Sequence, residues 1–223
     1  MFGAALLAYG GVYEPRALTY RTTVMNVSSR FTFTAGTVAA GDIGIIFDFK
    51  KNTGTTLPGT ATSITSFTSS GDGLGNNYYC EVGYQILTNT DVSTGISTTS
   101  RFISVYRPTN AINTVSAGSI PQPKYNYSTS PLTNTAYLNN TTDAYTTIAF
   151  LIDENNLAAT TTSTVTPDYD VAYYSPDNGS RIKIFNHLTE GTSNPASNST
   201  VGIAGTTGSG HGRLSGSFQV IFR

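Results

Sequence analysis

Tryptophan is absent from this 223-residue chain, and cysteine, histidine and methionine are nearly so: one Cys, two His and two Met. The lone Cys80 excludes an intramolecular disulfide framework and any multi-cysteine zinc site, and His187 and His211 leave little raw material for metal or imidazole chemistry. Charge is equally scarce. Asp, Glu, Lys and Arg make up 11% of the residues against roughly 25% in ordinary soluble proteins, and 12 basic side chains face 13 acidic ones for a net charge of -1. Without a basic excess no nucleic-acid partner is expected. No apolar run reaches the roughly 18 residues that cross a bilayer, so no membrane insertion is expected either. The opening Met1-Phe2-Gly3-Ala4-Ala5-Leu6-Leu7-Ala8 lacks the basic start of a signal peptide and reads as a docking arm.

Thr, Ser, Asn and Gly fill the space that charge leaves, beside 14 Tyr and 11 Phe. So many aromatics and so little net charge separate the chain from disordered sequences. Period-two alternation appears at Arg30–Thr34, Tyr79–Ile86 and Ser217–Phe222, which predicts half-buried strands. Continuous apolar runs at Ile43–Phe47, Phe102–Tyr106 and Thr147–Ile152 predict central, fully buried strands that form the core. Clusters such as Gly71–Asn77 and Ser175–Ser180 read as turns.

No stretch combines 3.6-residue spacing, helix-forming composition and caps, so helix should be minor. Many short strands without alternating helices predict an all-β fold, an antiparallel β-sandwich of jelly-roll type. The expected organisation is one sandwich over residues 21–223 preceded by an N-terminal arm over residues 1–20. Gly41–Phe49 and Asp143–Asp153 also look alike, each with an Asp before a buried-type strand and an acidic residue near its end. A faint duplication with two equivalent central strands would account for this, as would the general likeness of any two core strands.

The most specific segment is Phe102-Ile103-Ser104-Val105-Tyr106-Arg107-Pro108, a buried-type strand ending in Tyr-Arg. It resembles the "VYRGV" strand of small β-sandwich proteins of tailed bacteriophages. The order of the flanking motifs is similar too. A "GD" dipeptide and apolar strand come earlier (Gly41 to Phe49), a further strand lies between (Tyr78 to Leu87), and a "DA-V-AFF" strand (Asp143 to Ile152) and a C-terminal strand (Gly216 to Phe222) follow. The chain departs from the family at Leu57-Pro58-Gly59-Thr60, where a Trp-containing turn is usual, and at Pro108, which stands in place of Gly. The resemblance implies a non-enzymatic virion structural protein, an accessory or decoration subunit on the capsid or tail surface. It implies no catalytic residues and no cofactor.

The residues add expectations of their own. Phe2, Leu6, Leu7, Tyr9 and Tyr13 make the arm too apolar to wave freely, and it is expected to dock on another virion protein or a neighbouring copy. A homo-oligomer is expected because exposed sheet edges must be covered. Tyr125, Tyr127, Tyr173 and Tyr174 offer flat apolar faces with hydroxyl handles, suited to a partner protein or a host-surface glycan; this carries the alternative reading, a receptor- or glycan-binding domain at a fibre tip. Asp153-Glu154 and Asp168-Tyr169-Asp170 supply paired carboxylates of the kind a glycosidase uses, a spacing that solvated loops also produce by chance. Asp72 reads as a turn residue rather than a calcium ligand, and Cys80 as a small buried hydrophobe.

Overall fold

The structure, a computed structural model, describes residues 18–25, 29–70, 77–117 and 213–223, and between the last two the segments 124–126, 132–137, 144–153, 159–163, 169–174, 181–189 and 200–205. They form an all-β molecule in which every strand pairing is antiparallel. Among the described residues the helix content is one short element, Asn89–Thr94 (α1).

One sheet has five strands in the order Leu18–Met25 (β1), Phe102–Pro108 (β7), Ile43–Lys51 (β3), Asn77–Ile86 (β5) and Thr62–Ser70 (β4). A second follows the order Tyr169–Tyr174 (β13), Arg181–Thr189 (β14), Ala144–Asp153 (β11), Arg213–Phe222 (β16) and Val115–Ala117 (β8), with Lys124–Asn126 (β9) also paired to β16. A three-stranded sheet joins Leu132–Tyr137 (β10), Thr200–Gly205 (β15) and Ala159–Ser163 (β12), and a two-residue ribbon joins Arg30–Phe31 (β2) to Ile96–Ser97 (β6). The two segments that look alike in sequence therefore take equivalent places, β3 in the middle of one sheet and β11 in the middle of another.

Alternation along β3 explains its continuous apolar run. Ile43, Ile45, Phe47 and Phe49 point into a core shared with Phe102, Tyr106, Cys80 and Val82 of the same sheet and with Ile148, Phe218, Val220 and Phe222 of the second. Phe218 carries that contact, its ring 5.8 Å from Phe47 and 5.4 Å from Phe67. Ile46, with Ile103 and Val105 of β7, points the other way into a second core closed by Phe31, Val38, Leu87 and Ile96. Both faces of β3 and β7 are thus covered, which is why neither strand alternates in polarity. Each such side chain contributes about 1.5–3 kcal/mol when fully buried.

Two local expectations are corrected. The alternating stretch Arg30–Thr34 is strand only at Arg30–Phe31, because a turn closed by Thr37 N–H to Thr34 C=O (3.1 Å) ends it. Leu18, Thr19 and Tyr20, counted with the arm in the sequence, open β1, since Leu18 is fully buried in the shared core.

Candidate functional site

Three constellations stand out among the described residues, and the first joins the segments that make the chain distinctive in sequence. Gly41 at φ 90° turns the backbone into β3 and sets the buried Asp42 at its start. Arg107, near the end of β7, grips Asp42 through both arms of its fork, Nε to Oδ1 and Nη2 to Oδ2, each at 2.8 Å. The Ala39 N–H donates to the same Oδ2 at 2.8 Å. A planar guanidinium matches a carboxylate in this way where lysine could not. The hydrogen bond from Arg107 to Asp42 pushes the guanidinium above its ordinary value. Beside it, the fully buried Tyr106 lies 2.7 Å through its hydroxyl from Thr146 Oγ1 of β11 and 5.7 Å through its ring from Phe222 of β16.

The second constellation is a pair of carboxylates opposite one another across β3 and β5, Asp48 and Glu81. Asp48 Oδ2 accepts the Thr56 N–H at 2.7 Å, and Lys50 Nζ lies 3.6 Å from the same oxygen. Glu81 accepts from Thr55 Oγ1 and Ser63 Oγ, both at 2.7 Å. Lys50 also donates to Thr56 Oγ1 and Thr99 Oγ1, and Ser100 Oγ donates to Thr56 C=O. Burial is the main cause that raises the Asp48 carboxyl above the usual carboxylate range. With Asp48 closed to solvent and Glu81 held at both oxygens, the arrangement clamps the loop after β3 onto the sheet.

The third is a groove of about 560 Å³ between the start of β4, the end of β5 and α1, lined by Thr60, Thr62, Tyr84, Gln85, Ile86 and Asp91 among others. The backbone delivers these residues locally. Thr88 caps α1, its side chain accepting the Asp91 N–H while Asp91 Oδ2 accepts the Thr88 N–H at 3.0 Å. The same carboxylate oxygen takes the Gln85 amide N–H at 3.0 Å. Gln85 is 4% exposed, and its Oε1 has no hydrogen-bond partner.

No family model, curated protein or solved structure matches this chain.

The residues singled out in sequence scatter. Phe2, Leu6, Leu7, Tyr9 and Tyr13 of the arm lie outside the described residues, as do Tyr127, Asp72, Glu154, Asp168 and His211. Tyr125 on β9 and Tyr173 on β13 occupy one register row, linked through Leu214, Ile152 and Ile182, at opposite edges of the second sheet. Four strand spacings, roughly 19 Å, separate them. Tyr174 follows on β13, opposite Arg181. Asp153 ends β11 opposite Arg181 on one side and Arg213 on the other. Asp170 aligns through Phe185 with Ala149, about 13 Å from Asp153 along the strand direction. Cys80 is buried, and burial pushes its thiol well above its ordinary value, with the Asp48 charge adding to the rise.

Sequence reasoning missed the groove. Tyr84 and Ile86 belong to a stretch read only as a strand. The signal that was present, Thr88 followed three residues later by Asp91, is the signature of a helix start that would have placed α1 beside it.

Proposed function

We propose that this chain is a non-enzymatic structural protein of a tailed-bacteriophage virion, an accessory or decoration subunit on the capsid or tail surface. In this reading the two larger sheets form an antiparallel sandwich of jelly-roll type, the residues before β1 dock on a neighbouring virion protein or copy, and no cofactor takes part. One observation carries it. The motifs behind the phage resemblance, Gly41-Asp42, Tyr106-Arg107, the β11 strand and the C-terminal strand, converge on one knot made of the Asp42–Arg107 fork, the Tyr106–Thr146 hydrogen bond and the Tyr106–Phe222 contact. Residues bound to each other in this way serve the architecture, as expected when a motif marks a scaffold rather than a reaction centre.

Composition supports the same reading. A surface rich in Thr, Ser and Asn with little charge makes contacts that depend weakly on salt, which suits a particle outside the cell. The test is a side-chain-resolution reconstruction of purified particles together with deletion of residues 1–17. The expected result is an ordered array of this chain with its first residues buried against a neighbour, and loss of incorporation on deletion. Particles that lack the chain would overturn the proposal, and unchanged incorporation would overturn the docking role of the arm.

A further inference from the structure

We propose that the outer edge of β4 pairs antiparallel with β4 of a second copy of this chain about a two-fold axis, so that the five-stranded sheet continues from one copy into the other. This goes beyond the virion reading and does not rest on it, since the edge belongs to the sheet wherever the chain is mounted.

β4 ends the five-stranded sheet, with β5 on one side and no strand on the other among the described residues. A strand so placed turns a row of backbone N–H and C=O groups outward, and another strand is what completes such a row. At nine residues β4 is longer than any other strand at the end of a sheet, against eight in β1 and six in β10 and β13. Its register with β5 slips once, between Ser63 and Thr65, and Thr65–Ser70 then runs regularly opposite Val82 to Asn77.

The sequence of this edge contains none of the residues that keep edges apart. Thr62–Ser70 reads Thr-Ser-Ile-Thr-Ser-Phe-Thr-Ser-Ser, without Lys, Arg, Asp, Glu or Pro. β1, at the opposite edge of the same sheet, is guarded. Its register is broken between Tyr20 and Thr22, and Arg21 at that break donates through Nε to the Thr37 carbonyl. An uncharged edge can face its own copy with no like charges opposed, and two identical strands run antiparallel about a two-fold axis complete each other and close the assembly. These properties select a second copy as the occupant.

Packing points the same way. Phe47 and Phe49 of β3 and Cys80 and Val82 of β5 are at most 1% exposed, whereas Ile64 and Phe67 of β4 are only partly buried against the same core. The shared core is therefore open at the β4 rim. Thr65 and Phe67 stand opposite Val82 and Cys80 on the core face, and Ser66 and Thr68 lie exposed on the other. Opposed residues of an antiparallel pair share a face, so the axis passes through a residue rather than between two. Centred on Phe67 or Thr68, in the middle of the regular run, it brings the two open rims together. The two Thr68 side chains then stand opposite or diagonal to each other.

The test is sedimentation equilibrium of the full chain from about 5 to about 500 µM, with amide exchange measured at both ends of that range. A reversible monomer–dimer equilibrium is expected, with exchange in Thr65–Ser70 slowing as the dimer fills while that of β1 is unchanged. Thr68→Lys and Thr68→Glu each alter an exposed side chain and should keep the thermal transition of the parent. Each should weaken dimerisation about tenfold at low salt by setting like charges together across the axis. Mixed in equal amounts, the two variants should recover a dimer at least as tight as the parent's. A chain that stays monomeric throughout, an oligomer that both variants leave intact, or a mixture that recovers nothing would each overturn the proposal; association through residues 1–17 would show itself as the second of these.

Discussion

Asp48 shows what a single misplaced charge does to the acid stability of this protein. Its carboxyl is fully buried, with one oxygen on the Thr56 N–H and Lys50 at 3.6 Å, and its Oδ1 has no partner. Burial therefore raises its folded-state value above the ordinary 3.8. For a carboxyl raised in this way the favourable contribution is fully present below the unfolded-state value and is lost as pH climbs through the folded-state value. Asp48→Asn cannot ionise, so it should gain on the parent as pH rises from about 3 to 7, as measured by urea unfolding at a series of pH values. Arg107 behaves oppositely, since its removal leaves the buried Asp42 carboxylate without its fork. Arg107→Ala should cost about 1–2 kcal/mol, below the figure for a fully buried pair because its side chain is 38% exposed and solvent screens it. Cys80 gives a residue-scale probe of folding. With its thiol buried and pushed up, it should resist maleimide labelling in the native state and label at the rate of unfolding in denaturant.

Among the elements, the strands with continuous apolar runs were the most legible. Ile43–Phe47, Phe102–Tyr106 and Thr147–Ile152 lie within β3, β7 and β11, and the alternating Tyr79–Ile86 and Ser217–Phe222 lie within β5 and β16. Local pattern sufficed there because a strand interior contains its own periodicity. It failed at α1, where six residues are too few to show a helical period and where the cap, not the pattern, carries the information. The end of α1 is the point at which a backbone change should be felt most. Gly95 sits at φ 78°, and a Cβ there would collide with the Phe31 carbonyl oxygen of the adjoining ribbon. Gly95→Ala should lose more than about 1 kcal/mol, seen as a lower thermal midpoint with an unchanged β-sheet spectrum. A loss no larger than that of an ordinary surface substitution would mean that the loop relaxes freely.

At the scale of the molecule, apolar side chains of the five- and six-stranded sheets share one core, and the buried Tyr106–Thr146 hydrogen bond of 2.7 Å adds a polar link between them. Tyr106→Phe and Thr146→Val should each destabilise by about 0.5–1.5 kcal/mol through loss of this hydrogen bond. The double variant should lose less than the sum, because both polar groups leave together; simple additivity in urea unfolding would show that the bond couples nothing.

Composition and period by themselves determined that this is a weakly charged all-β chain, that its 223 residues hold no intramolecular disulfide, and which segments form its central strands. These properties depend on each residue and its near neighbours. Pairings between distant residues were decided only in three dimensions. Asp42 and Arg107 meet across 65 positions, and Tyr125 and Tyr173, alike in sequence, part to opposite edges of one sheet. The groove of Tyr84, Gln85 and Asp91 likewise exists only because α1 folds back beside the end of β5. The reason is physical: a strand's faces follow from alternation along the chain, whereas its neighbours follow from register between segments that local sequence does not encode.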